Sequence, residues 1–576
     1  MKKRLQRYAF HIGHWTLRVS RWTLYASAAM LVLLAIVFTV ARFLLPMLEE
    51  RKPDLEQYLS QRSGRQVHIE SLLAYWDGLH PGAQANGMQV YAADGRQPAI
   101  RLSEVRISLA LLPLLWGKLE INSLVVVKPN LALERLKDGR FRISGFDPLH
   151  AGEGGEGEKF LSWLFQQGRL EIENGELQWF DHRETDSAVH FSHVNLNLQN
   201  SGERHRLDFS ADFPPEICRD CSLIFDITGN PLSSPEWSGE IYLRAGEVNV
   251  STLPLVAREK LPSAFRGKFT VQLWSEWEQS RPVSVRGNVR VAGLRLPISG
   301  WDSPLGIREA GGDLSWQAKR EGWRLDVANP TIGLTGATWA AGHLRIVHQP
   351  EESQVQVKHL DIGDITSFVA RMKSEIVEIE KKDAAAPNSF LDFWLASKPE
   401  GAVDNFNLRV NGDWAAPEDF FLEADIGNGV VLPYQKYPGV RGLHGHLSLS
   451  RNAGSLQLDS TNVAVSLPQL FRTPLVAQRV SGDLGWEKST DHWLINGNDL
   501  RVTSADGRGN GKLSMRVPFD KSVSPHVKLR VDFSDGNGAH AARYYPVYHL
   551  SPATLAWMER SFVAGEITQG YLVYDG

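Results

Sequence analysis

Gly267-Lys268-Phe269-Thr270-Val271-Gln272-Leu273 is the stretch that decides the fold. Phe269, Val271 and Leu273 alternate with Thr270 and Gln272, and residues i and i+2 share one face of a pleated strand. The same alternation recurs along the chain, in Leu170 and Ile172, Leu177 and Trp179, Leu196 and Leu198, Leu456 and Leu458, and Val527, Leu529 and Val531. Tight-turn dipeptides such as Asn174-Gly175, Asn411-Gly412 and Asp506-Gly507 separate these runs, so an antiparallel meander is the simplest prediction. The opening phrase, Gly-x-apolar-x-apolar, returns from Gly175 to Trp179, Gly312 to Trp316, Gly445 to Leu449, Gly482 to Trp486 and Gly511 to Met515, as a loose repeat of a strand unit. Two copies extend further, since Trp316 and Trp486 are each followed seven residues later by another indole, Trp323 and Trp493.

Helices are few. The pattern predicts them over Pro53 to Arg62, Phe160 to Gln166, Asp364 to Lys381, Asn388 to Leu395 and Ser551 to Phe562, with Ser551 as a cap before Pro552. Residues 152–159 and 381–387 read as linkers too short to separate independent domains. The chain has 576 residues, 43% hydrophobic and 22% charged, which excludes a mainly disordered chain. Its 62 Lys and Arg against 66 Asp and Glu disfavour a nucleic-acid binder, and two cysteines are too few for a disulfide framework.

Charge is unevenly placed. Residues 1–21 hold Lys2, Lys3, Arg4, Arg7, Arg18 and Arg21 and no acid, and read as a cytoplasmic basic segment. An uncharged run from Trp22 to Ala41 follows, so residues 22–45 are expected to form one transmembrane helix placing the bulk of the chain on the far side. A cleaved signal peptide fits less well, because Arg42-Phe43-Leu44-Leu45-Pro46 stands where small residues would be needed. The helix after Pro53 is expected either to lie at the membrane surface or to pack on the first strands.

Residues 46–150 resemble the N-terminal module of the AsmA-like family, through Ser63-Gly64-Arg65-Gln66-Val67-His68-Ile69, Leu114-Leu115-Trp116-Gly117-Lys118-Leu119-Glu120-Ile121 and Pro129-Asn130-Leu131-Ala132-Leu133-Glu134-Arg135. The later phrases Leu360-Asp361-Ile362-Gly363-Asp364-Ile365, Leu467-Pro468-Gln469-Leu470-Phe471 and Ser481-Gly482-Asp483-Leu484-Gly485-Trp486 are similar to the YhdP branch of that family. The resemblance covers nearly all of the chain but only about the N-terminal half of such proteins, and residues 151–576 are then a repeated β-groove region truncated at its C-terminus. It implies a mainly β fold, an elongated, twisted antiparallel sheet shaped like a taco around a hydrophobic groove. It further implies an inner-membrane protein with its bulk in the periplasm, conducting phospholipid from the inner membrane to the outer, which the missing C-terminal part would reach. An inner-membrane protein partner, unidentified, would load the groove. A scaffold assisting outer-membrane protein assembly is the alternative role.

Elementary physics admits two fates for the alternating pattern. A string of β-sandwiches would hide the apolar faces against second sheets, whereas lipid conduction leaves them open, shielding acyl chains at about 0.8 kcal/mol per methylene. Roughly 30 strands at about 4.8 Å would reach on the order of 140 Å. The residues expected to line a groove are Ile121, Leu131, Leu133, Leu170, Ile172, Leu177, Trp179, Leu196, Leu198, Phe269, Val271, Leu273, Leu314, Trp316, Leu447, Leu449, Leu456, Leu458, Val527, Leu529 and Val531.

Catalytic signals are weak. Cys218-Arg219-Asp220-Cys221 has redox-motif spacing without the strand–helix context of a thioredoxin-like site; a local disulfide is expected, with free thiols or a redox or metal pair as alternatives. His444 and His446 share a strand face but have no third metal ligand, and residues 507–512 lack the Gly and Ser/Thr of a phosphate loop. No catalytic residue, cofactor or metal is expected, nor a nucleic-acid partner.

Overall fold

The computed structural model describes residues 22–32, 35–36, 39, 49–63, 65–78, 80–91, 98–111, 113, 116, 118, 120–138, 140–143, 165, 167–183, 185–229, 236–252, 266–296, 305–377, 389–413, 416–435, 437–520, 522–561 and 563–576. Two compact units divide between Tyr242 and Leu243.

In the first unit, helix α1 (Lys52–Ser63) precedes β1 (Val67–His68), β2 (Ser71–Asp77), β3 (His80–Tyr91), β4 (Pro98–Leu109), β5 (Ile121–Val127), β6 (Asn130–Arg135), β7 (Phe141–Ile143), β8 (Arg169–Asp181), β9 (Thr185–Ser201), β10 (Arg204–Asp212) and β11 (Arg219–Thr228). Leu55 and Leu59 of α1 pack on Val67, Ile69, Leu72 and Val90, so the helix covers the first strands. Its side chains also take backbone donors from the sheet: Ile69 N–H donates to Glu56 Oε1 at 2.6 Å and Val67 N–H to Ser60 Oγ at 3.0 Å. Among the described residues of this unit the ladder is antiparallel except at one place. β5 and β6 follow one another along the same side of β8 and pair with it in parallel, Leu124 opposite Leu170 and Leu131 opposite Leu177. The first unit is therefore not the pure antiparallel meander expected from the sequence. Parallel strands need a crossover of a dozen or more residues, and the stretch between β6 and β8 has that length. Most of it, including the expected linker 152–159 and nearly all of the expected helix 160–166, lies outside the described residues.

β12 (Ser238–Asn249) contains the division between the units. The second unit continues with β13 (Arg266–Glu278), β14 (Arg281–Leu296), β15 (Leu305–Lys319), β16 (Gly322–Leu334), β17 (Ala337–Ala340), β18 (His343–His348), β19 (Glu352–Asp361), helices α2 (Ile362–Val377) and α3 (Ser389–Ser397), then β20 (Glu400–Asp413), β21 (Ala416–Val431), β22 (Gly439–Ser450), β23 (Ala453–Ser466), β24 (Leu475–Lys488), β25 (His492–Ser504), β26 (Gly507–Pro518), β27 (His526–Asn537), α4 (Pro552–Ser561) and β28 (Glu566–Asp575). Among the described residues every ladder from β13 to β28 is antiparallel. Along one rim the strands join by short hairpins, such as 279–280, 320–321 and 451–452. The opposite rim carries α2, α3 and α4. Ser551 caps α4, its Oγ accepting from Thr554 N–H at 3.1 Å.

Several strand glycines, two of them opening the recurrent phrase, stand opposite bulges. At Gly482 (φ +139°) a Cβ would stand 2.7 Å from the Asp499 carbonyl oxygen, and Asp499 itself holds φ +48° in a bulge of β25. A bulge facing a glycine bends the bulged strand and shifts its alternation by one residue. The same arrangement recurs at Gly312 with Asn329, Gly401 with Asn428, Gly442 with Asn462 and Gly507 with Asp535. In β16 the apolar face therefore passes from odd residues, Leu325 and Val327, to even ones, Ile332 opposite Ala310 and then Leu334.

Ion pairs occupy the other face. Asp326 accepts from Arg324 Nε at 2.5 Å, Arg345 Nε at 2.7 Å and His343 Nε2 at 3.2 Å. Burial opposes its ionisation, but the guanidinium hydrogen bonds win and hold its pKa at about 2. A folded pKa below the unfolded value gives stability that is present above about pH 4 and lost as pH falls through 2, worth about 2 kcal/mol. Asp326→Asn should lower the unfolding free energy at pH 7 by about that amount and flatten the acid limb between pH 4 and 2. Urea titration at each pH measures this, and an unchanged acid limb would rule the pair out as a stabiliser.

Residues 22–32, 35–36 and 39 are helical, with Trp22, Leu24, Tyr25, Met30, Leu31, Val32 and Ile36 more than half exposed. The rest of the expected transmembrane span 22–45 and the basic segment 1–21 lie outside the described residues. Among the described residues, no helix is long and apolar enough to cross a membrane.

Candidate functional site

Side chains directly opposite each other in a ladder share a face, so the registers place the apolar residues of neighbouring strands in rows. In the second unit one row runs without a break through Val285, Trp316, Leu325, Ile346, Val355, Leu408, Leu422, Leu449, Gly454, Trp486, Ile495, Met515 and Val527. A parallel row holds Leu273, Gly287, Leu314, Val327, Leu344, Val357 and Phe406, is interrupted by the bulge at Asn405, and resumes through Ala424, Leu447, Leu456, Leu484, Gly497, Leu513, Leu529 and Tyr574. At about 4.8 Å per strand the two rows make on the order of 70 Å of apolar floor.

Most of these side chains are half-buried, including Leu273, Leu314, Trp316, Leu447, Leu449, Leu456, Leu484 and Leu529. A second sheet packed on this face would bury them, so over these rows a sandwich does not fit. Cover is local and comes from α2. Its Phe368 sits on Leu294, Ile307 and Leu334, and its Ile365 on Ala341, Val357 and Leu360. The helix thus closes the face beside its own rim and reaches the Leu273–Tyr574 row only near Val357. Thr366 Oγ1 donates to the Pro399 carbonyl at 2.8 Å, and Ser397 O accepts Leu432 N–H at 2.7 Å, tying α2 and α3 to the rim. Gly454 keeps the floor smooth: the Trp486 indole lies where its Cβ would stand, 2.4 Å from ring carbons.

The first unit has two rows of its own. Ala83, Ile107, Leu124, Leu170, Leu198, Leu207 and Phe225 form one, and Ala85, Val105, Val126, Ile172, Leu196, Phe209 and Leu223 the other. Leu131 pairs with Leu177 and Leu133 with Trp179, and the next pair along these strands is the buried Arg135–Asp181 ion pair at 3.4 Å. Ile121 lies opposite Leu109 beyond a bulge. Of the other sequence-derived positions, Phe269 and Val271 pair with Val291 and Val289, Leu458 with Gly445 and Val531 with Gly511, on the face that carries the long rows. Sequence reasoning missed Leu294, Ile307 and Leu334: Leu294 and Leu334 follow the left-handed residues Gly293 and Asn329 in their strands, which were the signal, and Ile307 is placed by its pairing with Leu294.

Cys218 and Cys221 form a disulfide with Cα atoms 6.3 Å apart, and Cys221 stands opposite Ala211 at the end of β10. His444 and His446 do not converge: His446 Nδ1 meets Asp425 Oδ1 at 2.7 Å, and His444 Nδ1 the Gly442 carbonyl at 3.2 Å. Among the described residues no group of His, Cys, Asp and Glu is arranged to hold a metal. Residues 507–512 lie in strand β26.

Fold and site together define an open-faced, bulged and largely antiparallel β-sheet protein whose prominent chemical feature is a long apolar floor. The chain belongs to the YhdP protein family, whose model matches residues 1–576. It is 20% identical over 581 residues to the intermembrane phospholipid transporter YhdP of Escherichia coli K12, covering 96% of this chain and 42% of that relative. The chain thus spans less than half the length of this curated relative. No solved structure matches it.

Proposed function

We propose that the chain conducts phospholipid passively along its apolar floor, as part of a path from the inner to the outer membrane. The observation that carries this reading is the unbroken row from Val285 to Val527, apolar throughout and half-open to solvent over most of its length. Acyl chains laid on such a row are shielded at about 0.8 kcal/mol per methylene, and a uniform lining leaves no deep trap to arrest them. The name of the Escherichia coli relative supports the same cargo. In this reading residues 22–45 cross the inner membrane, residues 1–21 remain in the cytoplasm and the two β units stand in the periplasm, where a disulfide such as Cys218–Cys221 persists. No step of this function calls for catalysis.

Mild extraction of the full chain followed by mass spectrometry should find phospholipid bound to it. Photo-crosslinkers at Leu177 and Leu447 should form lipid adducts. Adducts to proteins alone, with no lipid, would overturn conduction and favour a scaffold for outer-membrane protein assembly.

A further inference from the structure

The two sides of the floor in the second unit differ chemically. Beside the hairpin rim, one residue pair outward from the Val285–Val527 row, stand Trp277 opposite Pro282, Trp323 opposite Ala318 and His348, Phe420 opposite Val410, and Trp493 opposite Lys488 and Val517. These positions mix rings with polar and cationic groups. Trp277 Nε1 donates to Ser275 Oγ at 2.9 Å, and His348 Nδ1 meets Ser353 Oγ at 2.8 Å. Lys488 Nζ lies 5.8 Å from the centre of the Phe519 ring, which meets Trp493 edge-on at 6.5 Å. The next row inward contains two indoles, Trp316 and Trp486, among aliphatic side chains, and the Leu273–Tyr574 row contains none. Beyond that row, between β14 and β20, the face is closed by α2.

Polarity therefore falls from the hairpin rim towards the helix-bearing rim. Indoles favour the level where hydrocarbon gives way to polar groups, with the ring in the apolar layer and the N–H towards water. A lysine there supplies a cation at the height of a phosphate.

Building on the conduction reading, we infer that the hairpin rim of the second unit is the headgroup side of the path. The glycerol and phosphate of each phospholipid ride at the level of Trp277, Trp323, Lys488 and Trp493, and the acyl chains point across the floor towards α2. The lipid is thus oriented transversely as it moves, with one rim wet and the other dry.

The test replaces Trp323, Trp493, Val327 or Leu513, one at a time, by p-benzoylphenylalanine in the full chain. The protein is equilibrated with phosphatidylethanolamine and phosphatidylglycerol vesicles and irradiated, and tandem mass spectrometry locates each bond on the lipid. Adducts at 323 and 493 are expected on the glycerol and the upper acyl carbons, and those at 327 and 513 are expected to shift towards the methyl ends. A reversed order, or the same distribution at all four positions, overturns the assignment of the rim while leaving lipid conduction standing. Absence of lipid adducts from all four positions overturns both.

Discussion

Leu484→Asp should stop lipid passage while leaving the fold intact. Leu484 lies between Leu456 and Gly497 in the middle of the floor and is half-buried, so an introduced carboxylate reaches water without tearing a core apart. The loss of stability should be about 1–2 kcal/mol, from the lost partial burial and the low strand propensity of Asp, well short of unfolding. An acyl chain crossing that point has no such escape. It must lie against an ion or strip the ion of water, and a barrier of about 3 kcal/mol slows passage about a hundredfold. Transfer of a labelled phospholipid between vesicles, measured beside a urea denaturation curve, reads both quantities. Full transfer would refute the path; gross unfolding would show that position 484 belongs to a sealed core.

The second large effect lies under α2. Leu334 is fully buried, at 0% exposure, between Leu294, Ile307 and Phe368. Leu334→Ala removes those contacts and leaves a cavity, which costs about 3 kcal/mol at such a site. Leu529→Ala, on the open floor, should cost about 1 kcal/mol, since its side chain is already partly solvated. The contrast between the two isolates helix packing from the general loss of a leucine. Equal midpoints in chemical denaturation would mean that α2 adds no cover.

These two leucines also show what a sequence reveals and what it hides. Leu529 sits in an unbroken alternation, Val527-Lys528-Leu529-Arg530-Val531, and its face could be assigned by counting in twos. Leu334 follows the bulge at Asn329, so the same count assigns it to the polar side. The indole pairs were visible as a seven-residue interval, but not their meaning. Each interval wraps one hairpin and brings the second ring back onto the same face, Trp316 and Trp323 beside Leu325 and Ala318. Helix ends were legible to within a few residues: 364–381 was expected where α2 spans Ile362–Val377, and 551–562 where α4 spans Pro552–Ser561. The parallel pairing of β5 and β6 with β8 was not legible, because direction depends on where a connection returns, and no local pattern encodes that.

The bulges that face glycines have a consequence for growth. The creases at Gly312, Gly401, Gly442, Gly482 and Gly507 are each made locally, by one glycine and one left-handed Asn or Asp on the next strand. Whole hairpins can then be added or removed without changing the local bend of their neighbours. The length of the apolar floor then scales with the number of hairpins while its width stays the same.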